Sequence, residues 1–404
     1  MAVELKHSQL GNVIGLDCKT TIAYRGVKDA ELQHGFPEPS LFTNRAGSTI
    51  DATSYGSQCA QHPASCDFEF SFIQHELPRE EFKSSLTDCL NLNIVTPKEK
   101  PQLLPVFVFL FLHGGGFSLG GNAWPQYDPS RLVELSIEEG SPIIGININY
   151  RIQDHIEGFG GDPNNLTVVG ESAGSISCFL HLESEKPLLN RMVAMGGIPL
   201  LLKQIPITLA SGIYDMVMEN LGLSKGATAD QKINALKEAS IDTLVAAAGK
   251  LPMLPIIDGE IVKSPATFSE WSFQDTTLLS AKWCESIVIG DCEMDSSILF
   301  YMIHDRQAEM EASFIKSASR SLKNTMIKDD LLSKCNIGSQ VSKSQDDAVD
   351  NILRFAHDIG FYAPLTTIAS GFPGKARILE EEVQSLSWQR HPISRNCRLC
   401  GTRS

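Results

Sequence analysis

Little in this sequence of 404 residues marks a specialised kind of chain. Cysteine is sparse, ten in all, which is too few for a disulfide scaffold. Basic residues are outnumbered 34 to 48, and the formal charge of −14 argues against recognition of nucleic acid through a broad basic face. The longest uninterrupted apolar run, 106–112, is far too short to span a bilayer, so no transmembrane segment is expected. There is no internal repeat and no low-complexity tract. The opening MAVELKHS lacks a basic segment followed by an apolar stretch, so no secretory signal is visible. The expected location is cytoplasmic, with secretion left open if the N-terminus is incomplete. What remains is an ordinary globular balance, 42% apolar and 20% charged. Its length suits two or three domains of roughly 150 residues or one large α/β domain.

Runs rich in β-branched and aromatic residues alternate with helical patterns, which predicts an α/β fold with a largely parallel sheet. Residues 106–112 (VFVFLFL), 143–149 (IIGININ), 166–170 (LTVVG) and 286–290 (SIVIG) read as strands. The region 205–282 differs. Thr228 and Gln231 have the spacing of a capping box ahead of Ile233 and Leu236. Ile241, Leu244, Val245 and Ala248 form a second helical set, stopped by Gly249 with Pro252 beyond. Asp258-Gly259 between short apolar pairs predicts a hairpin. The region reads as a helical insertion over the sheet edge. From Lys375 onward no pattern is evident.

The chemistry concentrates in two places. Gly170-Glu171-Ser172-Ala173-Gly174 is a G-x-S-x-G between a predicted strand and a helical run, the context of a nucleophile elbow. Such a turn is too tight for side chains two residues either side of the serine, so glycine is required there. It presents the Ser172 hydroxyl beside a helix N-terminus, which favours a developing oxyanion. Strand 106–112 runs into HGGGF (113–117), whose place matches the oxyanion loop of lipases and esterases. Gly115, Gly116 and Ala173 N–H are the expected donors, and His113 reads as structural.

With these motifs the chain resembles the type-B carboxylesterase/lipase family, the cholinesterase-like branch of the α/β-hydrolases. The resemblance rests also on DATSYGSQC (51–59), CLNLNIVTP (89–97), Asn149-Tyr150-Arg151, FGGDPNNLTVVGES (159–172), Ile257-Asp258-Gly259 and GDCEMDS (290–296). It runs from about residue 20 to 375. It implies a single α/β-hydrolase domain over 1–375, with helices on both faces of a mostly parallel sheet and an unmatched tail over 376–404. It implies a Cys59–Cys89 disulfide, two free thiols being the competing reading. It implies a catalytic acid at Asp295, with Asp291 and Glu293 as alternatives. The implied activity is carboxylic-ester hydrolysis through a serine acyl-enzyme, on a small-molecule or lipid ester, with no metal or organic cofactor.

The chain departs from the family twice. Arg151 and the FGGDP loop are separated by only seven residues, where the family carries a full crossover helix; Ile152, Ile156 and Phe159 read as the tail of its apolar face. The stretch 151–165 is near the minimum for a parallel crossover. The general base should follow the acid in chain order. Of His304, His357 and His391, none stands in a family-like setting, so the catalytic histidine is unassigned. The alternative function is therefore a catalytically impaired binding protein on the same fold. Two lesser features read as structural or isolated: Asn165-Leu166-Thr167, a glycosylation sequon entering a predicted strand, and a lone CxxC at Cys397 and Cys400.

Overall fold

The computed structural model describes residues 2–36, 38–44, 47–73, 77–99, 103–109, 115–149, 155–184, 187–249, 251–272, 283–338 and 344–380. Arg151, His113, His391, Cys397 and Cys400 lie outside them. The chain divides into two compact units, Met1–Ile289 with Ala369–Arg377, and Gly290–Ile368 with Ile378–Ser404.

Among the described residues, the main path of the large sheet has ten strands. They are β1 (Ala2–His7), β2 (Gly11–Cys18), β3 (Thr21–Lys28), β4 (Asn91–Pro97), β5 (Leu104–Phe109), β6 (Ile144–Ile148), β7 (Gly161–Glu171), β8 (Arg191–Met195), β9 (Ser286–Asp291) and β10 (Lys375–Glu380). Their spatial order is β1-β2-β3-β4-β6-β5-β7-β8-β9-β10. The first four are joined antiparallel to one another and to β6, whereas β6-β5-β7-β8 is parallel. β4 and β6 are buried along their whole length, as strands covered on both faces must be. The four strands foreseen from the sequence are β5, β6, β7 and β9; the antiparallel N-terminal strands complete the sheet. β10 corrects the expectation that no pattern survives beyond Lys375. Its residues 376–379 are exposed, so no buried face stamped a period on the sequence.

Helix α1 (Ser65–Ile73) contributes Cys66 and Phe70 to an aromatic cluster with Trp124 and Tyr127. Helix α2 (Ser130–Glu138) buries Val133 against Ala23 and Val95. Helix α3 (Ala173–His181) packs on β7 and β8. The insertion holds α4 (Ile207–Asn220), α5 (Ala229–Glu238) and α6 (Ile241–Ala248). The capping box is formed as the spacing predicts: Thr228 Oγ1 accepts the Gln231 N–H and Gln231 Oε1 accepts the Thr228 N–H. Gly249 ends α6 at φ 49°. The hairpin does not form. Asp258 Oδ1 instead accepts the N–H groups of Glu260, Ile261 and Val262, folding the chain into an Asx-type turn. Ile256–Ile257 pairs in parallel with Ile205–Pro206.

The crossover from β6 to β7 is also shorter than its sequence suggests. Among its described residues there is one 3-10 turn, Ile156–Phe159, stopped by Gly160 at φ 91°. β7 begins at Gly161, so the strand itself takes up the length a helix would need. The turn is held by a buried clamp. His7 Nδ1 accepts the N–H groups of Gln9 and Leu10, so its Nε2–H donates to the His155 carbonyl at 2.8 Å. His155 Nδ1 meets Gln9 Oε1 at 2.6 Å, and Phe159 packs its ring on both His7 and Tyr24.

Behind the site, buried asparagines hold the loop that follows the triple glycine. Asn93 and Asn147 both donate to the Asn122 carbonyl, at 2.7 and 2.9 Å, and Asn149 Oδ1 accepts the Asn122 N–H at 3.0 Å. Gln61 pairs both amide atoms with the Gly120 backbone. The strand sequence NIN is thus polar on purpose: its amides satisfy loop backbone that would otherwise be buried unpaired.

In the second unit, helices α7 (Gln307–Ser321), α8 (Thr325–Lys334) and α9 (Gln345–His357) follow one another. α9 packs on α7 and on the one-turn helix Asp295–Ser297.

Candidate active site

β7 ends at Glu171 and α3 begins at Ala173, so Ser172 alone makes the turn. Its φ of 51° and ψ of −121° lie where L-residues rarely go, a conformation that costs about 1–3 kcal/mol and persists only when its surroundings dictate it. Here they do. Ser172 N–H donates to the Met195 carbonyl at 2.8 Å, and the Ser172 carbonyl accepts from Ile176 N–H at 3.0 Å. Gly197 lies against the Ser172 main chain so closely that any β-carbon there would collide with it, and Ser175 Oγ donates to the Gly197 carbonyl at 2.5 Å. A β-carbon on Gly170 would stand 2.5 Å from the Gly174 carbonyl, which is the steric demand expected at that position. The Ser172 side chain is half-buried, and its hydroxyl has no hydrogen-bond partner among the described residues.

Gly115, Gly116 and Phe117 all take positive φ, 65°, 59° and 64°. The turn Gly115–Phe117 rests on α3, with Phe117 against the cluster of Ile176, Leu180 and Val262. The glycine turn and the serine turn are therefore brought together on one helix. Ala173, at the first position of α3, is fully buried and carries one of the helix's four unpaired N–H groups.

The acidic candidates lie in the second unit. Asp295 Oδ2 accepts the Cys292 N–H at 3.1 Å; burial pushes this carboxyl up, while that hydrogen bond and the nearby His357 pull it down. Asp291 Oδ2 stands 3.6 Å from His357 Nε2, and Glu293 is exposed. His357 ends α9 and stacks on Phe361. The sequence shows His357 only as a helical residue; its place beside two carboxylates comes from a contact 66 positions away, for which no local signal exists.

Cys59 and Cys89 are unlinked thiols in direct contact. The neighbouring Cys89 thiol, with burial, pushes Cys59 up, and Cys59 in turn pulls Cys89 down. Asn165, the sequon residue, is engaged by Arg191, whose Nη1 and Nη2 donate to its Oδ1 at 2.7 and 2.8 Å.

Beside α3 opens a cavity of about 390 Å³, between Phe117, Leu180 and Val262 on one side and Ile205 and Ile213 on the other. Among the described residues, no helix is long and apolar enough to cross a membrane, and no His, Cys, Asp and Glu cluster could hold a metal ion.

The carboxylesterase family matches residues 3–153 and 152–377, the two stretches meeting at the shortened crossover. Lipase 2 of Diutina rugosa is 28% identical over 252 residues, 50% of this chain and 44% of that protein. The para-nitrobenzyl esterase of Bacillus subtilis (strain 168) is 27% identical over 289 residues, 62% of this chain and 54% of the relative. An inactive carboxylesterase-like protein, VdtD of Byssochlamys spectabilis, is 29% identical over 196 residues, 40% and 32% of the two chains. The chain spans about half the length of the curated relatives it matches. A central parallel sheet, a strained serine between β7 and α3 and a match covering nearly all of 3–377 make this chain a member of the carboxylesterase family, with its α/β-hydrolase fold.

Proposed function

We propose that the chain hydrolyses carboxylic esters through an acyl-enzyme on Ser172. The observation that carries this reading is the backbone of Ser172, held at φ 51° and ψ −121° with its hydroxyl unengaged. Ser172 Oγ attacks the ester carbonyl and its proton passes to a histidine. The carbonyl oxygen becomes an oxyanion, held by the N–H groups of Gly115, Gly116 and Ala173. The intermediate collapses, the C–O bond to the alcohol breaks, and the leaving oxygen takes the proton from the imidazolium. Water then repeats the sequence on the acyl-enzyme and releases the acid. Asp295 is the acid that orients the histidine and stabilises its cation. Losing one oxyanion donor costs about 2.7–4 kcal/mol of transition-state stabilisation, so the glycine turn matters as much as the serine.

A second reading, a binding protein on a hydrolase fold, is favoured by the histidines: none stands in the family's setting for the base. Residual acceleration of roughly 10³–10⁴ over water survives loss of a triad member, so slow turnover does not separate the two. A fluorophosphonate probe does. Fast, saturable labelling that vanishes in Ser172→Ala supports the hydrolase; a folded wild-type sample that takes no label leaves only the binding protein.

A further inference from the structure

The cavity beside α3 is apolar almost throughout. Among the described residues that line it, only Ser177 and His181 carry hydrogen-bonding side chains. They sit four apart on α3, hence on one face of the helix. Burial holds the His181 imidazole below the usual histidine range, so at neutral pH it is uncharged and offers one N–H donor and one nitrogen acceptor. No partner within the described residues takes up either side chain. Phe117, which directly follows Gly116, forms part of the same wall, so the cavity borders the glycine turn. His181 is nine residues beyond Ser172 along α3, about 13.5 Å at 1.5 Å per residue. An extended carbon chain advances roughly 1.25 Å per bond from standard bond lengths and angles, so about ten carbons cover that distance.

We propose that this cavity takes one hydrocarbon arm of the substrate, and that His181, with Ser177, selects arms that carry a hydroxyl or keto group near their far end. This rests on the ester-hydrolase reading for the reaction, though not for the binding. The preferred substrates are then medium-chain hydroxy- or oxo-substituted esters. The apolar wall supplies affinity for the methylenes. The polar pair removes the penalty that an unpartnered hydroxyl would meet in an apolar pocket. His181 is in this reading a specificity determinant, with no part in bond making.

The test measures binding of methyl decanoate and methyl 10-hydroxydecanoate by titration calorimetry, in the full chain carrying Ser172→Ala so that nothing turns over. Adding His181→Leu is expected to shift the affinity ratio about fivefold or more toward the plain ester, whereas His181→Gln keeps the ratio within twofold of the parent. Adding Ala210→Trp, which fills the cavity from α4, abolishes binding of both esters. An unchanged ratio in His181→Leu, or undiminished binding in Ala210→Trp, overturns the proposal; Ser177→Val carries the same ratio test should His181→Leu fail to fold. Fluorophosphonate labelling of the wild type, run in parallel, separates the two levels. A shifted ratio with no labelling removes hydrolysis and keeps the pocket, and labelling with an unchanged ratio does the reverse.

Discussion

At the scale of single residues, the serine turn trades stability for position. A side chain at φ 51° and ψ −121° is strained, and glycine is the residue that relaxes there. Ser172→Gly is therefore expected to raise stability by about 1–2 kcal/mol, read as a higher urea midpoint, while Ser172→Ala leaves it near the parent value. A stability loss in Ser172→Gly would mean that the hydroxyl holds the turn and the backbone is unstrained. Buried carboxyls add a pH dependence. Burial pushes Glu69 and Glu183 from 4.5 up to about 7. Their folded values lie above their unfolded ones, so the stability they contribute is complete below about pH 4.5 and is lost as pH rises through about 7. Glu69→Gln removes one of the two groups. Urea midpoints at pH 5 and pH 8 should show the variant gaining on the parent at the higher pH.

At the scale of elements, the contact between Cys59 and Cys89 makes the segment between them a ready loop for closure. Oxidation should stabilise the chain by about 3–4 kcal/mol, the entropy of a loop of about 30 residues. A melt with and without reductant, checked against Cys59→Ser, measures this; equal midpoints would count against linkage. What the sequence disclosed at this scale was local. The capping box at Thr228, the end of α6 at Gly249 and the glycine demand at 170 each depend on neighbours within a few residues, and each is legible as a string. The asparagine lattice around Asn122, the His7–His155 clamp and the Asp291–His357 contact join residues 25 to 148 positions apart. No periodicity carries such pairings. The hairpin expected at Asp258 failed because the side chain of that aspartate satisfies three backbone N–H groups itself, so no second strand was needed to do so.

At the scale of the whole molecule, the net charge of −14 shapes what can approach. A field of that sign repels anionic substrates and is screened by salt. For the proposed activity, kcat/KM on a carboxylate-bearing ester should rise severalfold between low and physiological ionic strength, while an uncharged ester of the same length stays level. A parallel response of both esters would show that salt acts on the fold and not on encounter. The clamp between His7 and His155 has a different reach, since 148 positions separate its halves. A ribosome adds about 5–20 residues each second, so the first strand waits roughly 7 to 30 seconds for the turn it must meet. During that interval the ring of Phe159 has yet to be made and His7 has nothing to grip. Synthesis speed, and whatever shelters a nascent strand, therefore bear on the yield of this protein more than its finished contacts would suggest.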